Sequence, residues 1–148
     1  MSQQQYSDED LAYHEAGHTV AALLLGRTVT RVSIVRDDAS RGVHVPSFRD
    51  DAEETSEAAA DKILILLAGG AAQHVRDPSM PRRQDAKDWP RAEALAGTTS
   101  ALETAWARTV TLLQVPDHWE QVEQIAQSLL RERVLDADQI AQLMDRTR

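Results

Sequence analysis

The sequence predicts a mainly α domain with a small β element. Three observations carry this: a long apolar helical stretch near the start, one short β-branched alternation after it, and helical periodicity through the second half. At 148 residues the chain suits a single domain, 1–148, able to bury one core without disulfide or metal staples.

The first helix is announced by its ends. Ser7 is placed as N-cap with Asp10 three residues on, a variant of the capping box, and Tyr6 and Leu11 take the two positions of a hydrophobic staple. Gly26 follows Leu23, Leu24 and Leu25 as a C′ stop, so the helix spans about 8–25. Residues 28–35 then alternate, with Val29, Arg31 and Ser33 on one parity and Thr30, Val32 and Ile34 on the other, which reads as a strand. A turn over 37–42 leads to a short second strand, Val43, His44 and Val45, which Pro46 closes or marks as an edge. A second long helix is expected over 53–75, acidic at first and strongly apolar at 63–68; its acidic start, 50–57, suits both solvent and the helix dipole. Residues 77–88 read as a loop, with two prolines and several polar residues. From there the pattern is helical to the end, with breaks at 98–100 and 115–116 and with Asp136 capping a last helix from Ala137 to about Asp145.

Composition removes several functions. A formal net charge of −8 would repel a phosphate backbone and an anionic membrane surface, so no nucleic-acid partner is expected. There is no cysteine, so any metal must be held by His and carboxylate groups. The polar, acidic start lacks the basic and apolar regions of a secretory signal. The longest apolar run, 63–72, falls far short of the roughly 20 residues that cross a bilayer. No membrane span is expected, and the cytoplasm is the expected location.

His14-Glu15-Ala16-Gly17-His18 is an H-E-x-x-H sequence within the first helix. At 100° per residue, His14 and His18 project about 40° apart and one turn apart, so their imidazoles can converge on one ion. Glu15 lies about 60° around from His18, near the ion's open side but not a ligand. Zinc lowers the pKa of the water it binds towards about 7, and Glu15 can take that proton as the water attacks a peptide carbonyl. Composition alone gives roughly 0.01 chance occurrences of this pattern in such a chain, so coincidence explains it poorly. The surrounding helix is apolar nearly all round, and two His and a Glu on a buried helix need partners that a metal site would supply. Gly17 costs about 1 kcal/mol in mid-helix, which a tight approach to a neighbour would explain. A third protein ligand is required. His44, His74, His118 and many carboxylates are candidates that periodicity does not separate. His74 and His118 read as structural or surface residues, and Trp89, Trp106 and Trp119 as packing residues.

At these residues the chain resembles the FtsH-type zinc peptidases. Tyr13 to Val20 is similar to the family's active-site helix, residues 29–35 to its following strand, and Leu66-Leu67-Ala68-Gly69-Gly70-Ala71-Ala72 to its small-residue helix. Asp88-Trp89-Pro90-Arg91-Ala92 resembles the segment whose Asp is the third zinc ligand, and 129–144 resembles the C-terminal helical pair. The resemblance implies a zincin-like active-site helix followed by a short sheet and a C-terminal helical bundle. It implies Zn²⁺ held by His14, His18 and Asp88, with Glu15 as catalytic base. Asp85 is the nearest rival to Asp88, which could instead cap the next helix. The resemblance also implies self-association, since the family forms hexamers. Gly70 and Lys87 depart from the family's Arg and Asn, and the chain has no G-x-x-x-x-G-K-[ST] phosphate loop. The expected activity is therefore ATP-independent hydrolysis of unfolded or flexible polypeptides. Strand residues Val43, His44 and Val45 are candidates to pair with an extended substrate backbone. Two other readings remain: a regulatory metallopeptidase dedicated to one protein partner, and a non-catalytic protein-binding module that kept the fold.

Overall fold

In a computed structural model of the protein, residues 7–35, 42–45, 56–80 and 87–146 are described. Tyr6, most of the 37–42 turn, Pro46, the acidic stretch before Ser56 and Asp85 lie outside them. The described elements are six helices and a small antiparallel sheet, the mainly α fold with a minor β element that the periodicities predict.

Helix α1, Asp8–Leu24, begins at a complete capping box: the Ser7 hydroxyl accepts from the Asp10 amide and the Asp10 carboxylate accepts from the Ser7 amide. It ends at Leu25, with Gly26 in the left-handed region at φ 79°. Buried from Leu11 to Tyr13 and from Glu15 to Ala22, α1 is the centre of the molecule. Helix α2, Ser56–Arg76, lies along one side of it and α5, Pro116–Glu132, along another. Contacts order α1 and α2 as an antiparallel pair. Arg76 bonds Glu9 and Asp10, the 14 and 18 positions meet 73 and 65, and Arg27 meets Asp61.

The two backbones come unusually close. A Cβ on Gly17 would lie 2.4 Å from the Ala68 carbonyl oxygen and 2.6 Å from the Ala72 Cβ. This is the tight approach that a mid-helix glycine implies. Around it, Ala12, Ala16 and Ala21 of α1 and Ala68, Ala71 and Ala72 of α2 are fully buried. Small residues give up side-chain area and gain dispersion contact along the backbones.

Helices α3, Asp88–Ala96, and α4, Thr99–Gln114, pack on α2. Gly97 at φ 80° ends α3 and the Thr98 hydroxyl caps α4 by accepting from Ala101, which accounts for the break expected at 98–100. Pro116 opens α5, and His118 donates to the Leu112 carbonyl at the end of α4, 2.8 Å away. The tryptophans pack as expected: Trp106 meets Trp89 edge-on at 5.8 Å, and Trp119 stacks on Tyr13 at 5.9 Å. His74 is half-buried with its ring edge-on to Trp106, a packing role.

The sheet departs from expectation in two respects. Strand β1 is Arg31–Ser33, the centre of the longer 28–35 alternation, with β2, Gly42–His44, on one edge. On the other edge runs a strand not expected from sequence, β3, Val134–Asp136, with Val32 opposite Leu135. Arg133 takes the left-handed conformation at φ 71°, donates its amide to Leu129 and so terminates α5. Its guanidinium is held by Asp8, 2.9 Å away. No glycine marks the turn, so the sequence pattern carries no signal that α5 ends there. Asp136 and Gln139 then form a reciprocal cap for α6, Ala137–Arg146, as the Asp136 signal predicts. Among the described residues no helix is long and apolar enough to cross a membrane.

Gly17→Ala should separate contact from propensity. Propensity alone predicts a gain of about 1 kcal/mol. The backbone of α2 cannot yield as a side chain would, so a net loss of about 1–3 kcal/mol in unfolding free energy is expected, measured by urea titration.

Candidate metal centre

His14 and His18 leave the same face of α1 one turn apart, as their spacing requires. Their Nε2 atoms are 3.1 Å from each other, with the rings close to perpendicular at 83°. Asp88 reaches across from the first turn of α3. Its Oδ2 lies 2.9 Å from His18 Nε2 and 3.7 Å from His14 Nε2. These three ligand atoms fall within 4.8 Å of one another, the one such group among the described residues able to hold a metal ion. Asp88 is not the cap of α3, because Lys87 occupies the N-cap position. His74 and His118 lie in packing roles elsewhere, and the side chain of His44 is outside the described set.

The donor set fits an ion. Ligands about 2.0–2.1 Å from a tetrahedral ion stand about 3.3–3.4 Å apart, and the three separations here bracket that value. Both imidazoles are also held by their remote nitrogens. His18 Nδ1 donates to the backbone carbonyl of Ile65, 2.7 Å away. His14 Nδ1 lies 2.7 Å from Gln73 Oε1. A carbonyl only accepts, so His18 carries a hydrogen on Nδ1 and its Nε2 faces the group. Gly69 leaves room for the rings themselves: a Cβ there would sit 2.4 Å from His18 Nε2 and 2.7 Å from His14 Nε2.

The α2 residues that meet the rings are 65, 69 and 73, one turn apart on a single face and running opposite to 18 and 14. Sequence reasoning missed all three as parts of a site. The available signal was a glutamine four residues after a glycine, at the end of the apolar run of this helix.

Electrostatics agree with a cation at this position. Burial pushes the His18 pKa down and His14 opposes a second positive charge, but the hydrogen bond and charge of Asp88, with the charge of Glu15, prevail and leave it raised. Glu15 is buried at 7% exposure. Its carboxylate lies towards β2, since a Cβ on Gly42 would come 3.7 Å from Glu15 Oε2. Gly42 itself needs φ 111° to start that strand. Val43 is half-buried in β2 opposite Val32, and Val45 follows the strand. A surface cleft of about 650 Å³ lined by Val75, Trp119, Glu120 and Glu123 shares no residue with this group.

Compared with models of known protein families the chain matches none, and no curated protein is found to be similar to it.

Two outcomes follow from this geometry. Gly69→Ala should fold but lose metal uptake, because its methyl would push both imidazole ends out of place; metal content of the refolded protein after dialysis against the ion checks this. The raised His18 pKa makes the metal-free fold less stable as pH rises. The charged pair with Asp88 contributes fully below the unfolded imidazole value of about 6.5 and is lost as pH climbs through the higher folded value. Urea unfolding of metal-free protein from about pH 5.5 to 8.5 should show this decline, and Asp88→Asn should flatten it.

Proposed function

We propose that this protein is a zinc-dependent endopeptidase acting on unfolded or flexible polypeptides. The observation that carries the reading is the convergence of His14, His18 and Asp88, with Glu15 between them and an edge strand. Two imidazoles and a carboxylate, without thiolates, are a ligand set that leaves a fourth position open, as catalytic zinc sites do. The motif order that resembles FtsH-type peptidases supports the same reading.

A zinc ion held there supplies Lewis acidity and makes water nucleophilic near neutral pH. The chain's own groups do the rest. His14, His18 and Asp88 fix the position, and the Ile65 carbonyl and Gln73 amide fix the ring orientations. Glu15 accepts the proton of the attacking water and returns it to the departing amine. Strand β2 has β1 on one side and no strand on the other among the described residues. Its backbone, from Gly42 through Val43 and His44 to Val45, offers hydrogen bonds to an extended segment beside Glu15. That mode of recognition needs an extended backbone, which is why the substrate class is unfolded chain rather than folded protein.

The test pairs metal content with cleavage. Wild-type protein should hold near-stoichiometric zinc and cleave an unfolded casein. Asp88→Ala should lose most of the metal. Glu15→Gln should keep the metal while cleavage falls by about 10²–10⁴. Zinc binding without cleavage of any unfolded substrate would reject the general endopeptidase, and no zinc after reconstitution would reject the metal centre as well.

A further inference from the structure

The two ring anchors differ in kind. His18 is held by a backbone carbonyl, which no substitution removes, whereas His14 is held by the side chain of Gln73. Gln73 is 1% exposed, and its amide nitrogen has no hydrogen-bond partner among the described residues. A buried donor left unpaired is costly, and the hydrogen bond that offsets it is the one its oxygen makes to His14.

An amide can hold either form of a neutral imidazole. With Oε1 towards His14 the ring hydrogen is on Nδ1, and the Nε2 lone pair faces His18, Asp88 and the space beside Gly69. With the amide turned over, Nε2 of Gln73 would donate to Nδ1, and the ring hydrogen would move to the nitrogen that must be bare to bind an ion. We infer that Gln73 is a positioning residue for metal binding: its amide oxygen selects the His14 tautomer that presents Nε2 to the ion. The inference rests on the metal centre proposed above.

Charge separates Gln73 from the carboxylate that commonly plays this part. Asp88 and Glu15 already bring two negative charges to a divalent ion, which balances it. A glutamate at 73 would add a third, within hydrogen-bond distance of His14. It would make His14 a stronger ligand, and it would also place a buried carboxylate in the metal-free fold, where Gln73 places a neutral amide. The inferred role of Gln73 is to set orientation alone.

The experiment has two readouts. Imidazole ¹⁵N shifts in metal-free wild-type protein at neutral pH should show His14 with its hydrogen on Nδ1, and Gln73→Met, of similar volume, should lose that preference. Zinc affinity by chelator competition should weaken by about 10–100-fold in Gln73→Met and return to at least the wild-type level in Gln73→Glu. A wild-type His14 with its hydrogen on Nε2 overturns the inference, and so does a folded Gln73→Met protein that keeps both the tautomer and the affinity. The tautomer is read without metal or cleavage. If wild type binds no zinc while His14 shows the Nδ1 hydrogen, the metal centre fails and the orientation by Gln73 stands.

Discussion

The site depends on how closely α1 and α2 approach. Gly17 lets the α1 backbone rest against the carbonyl of Ala68, and the alanines around it keep the gap narrow over several turns. That approach puts the Ile65 carbonyl and the Gln73 amide within hydrogen-bond distance of His18 and His14. It also puts Gly69 against the ring edges. A wider helix pair, built with leucine or valine at those positions, would leave both Nδ1 atoms unpartnered in an apolar interior, and a buried imidazole without a partner is costly. The small-residue seam is therefore the scaffold of the candidate metal centre as well as part of the core.

The antiparallel order of the pair matters as much as its spacing. Residues one turn apart on α1 meet residues two turns apart on α2, with the intervening turn occupied by Gly69. The arrangement works because the histidine rings splay from the helix they leave, while their anchors lie along the helix they meet. The same order brings Arg76 at the end of α2 over the Tyr13 ring and onto Glu9 and Asp10. Cation, ring and carboxylates hold the start of α1, with its cap, in register with the end of α2. These outer contacts are partly exposed and individually weak, but they act on the same register as the inner ones.

Much of this was legible in sequence, for identifiable reasons. The α1 boundaries were readable because Ser7, Asp10 and Gly26 carry local chemistry that acts within a turn. The breaks expected at 98–100 and 115–116 were readable because Thr98 and Pro116 do the same, although α3 already ends one residue earlier, at Gly97. Strand β3 was not, because Arg133 adopts a left-handed conformation that its type does not advertise, held by a salt bridge to Asp8, 125 residues away in sequence. The pairing of His14 with His18 follows from helix geometry alone. Asp88 joins them through tertiary packing, and on the residues themselves it was one of many carboxylates until the family resemblance singled it out. Gln73 and Gly69 were missed because neither belongs to the H-E-x-x-H pattern and a helix signal does not say which face meets which neighbour.

Rigidity is distributed unevenly across the ligand group, and this bears on how it would close on an ion. Both histidines leave the most buried helix of the fold, and both are anchored at Nδ1. Asp88 comes from the first turn of α3, directly after the loop, so its placement rests on what holds that turn. Trp89 is the adjacent residue, buried and edge-on to Trp106 of α4, and Ala92 one turn on is fully buried against the core. Asp88 is thus held at its backbone by its neighbours and at its carboxylate by the two imidazoles. Its oxygen favours His18 over His14, at 2.9 against 3.7 Å. An ion shared among the three groups at about 2.0–2.1 Å from each would draw the carboxylate by roughly a few tenths of an ångström towards His14. A carboxylate with two soft torsions can do this without moving either helix. The frame supplies two preset nitrogens, and the charged carboxylate would complete the set around an ion.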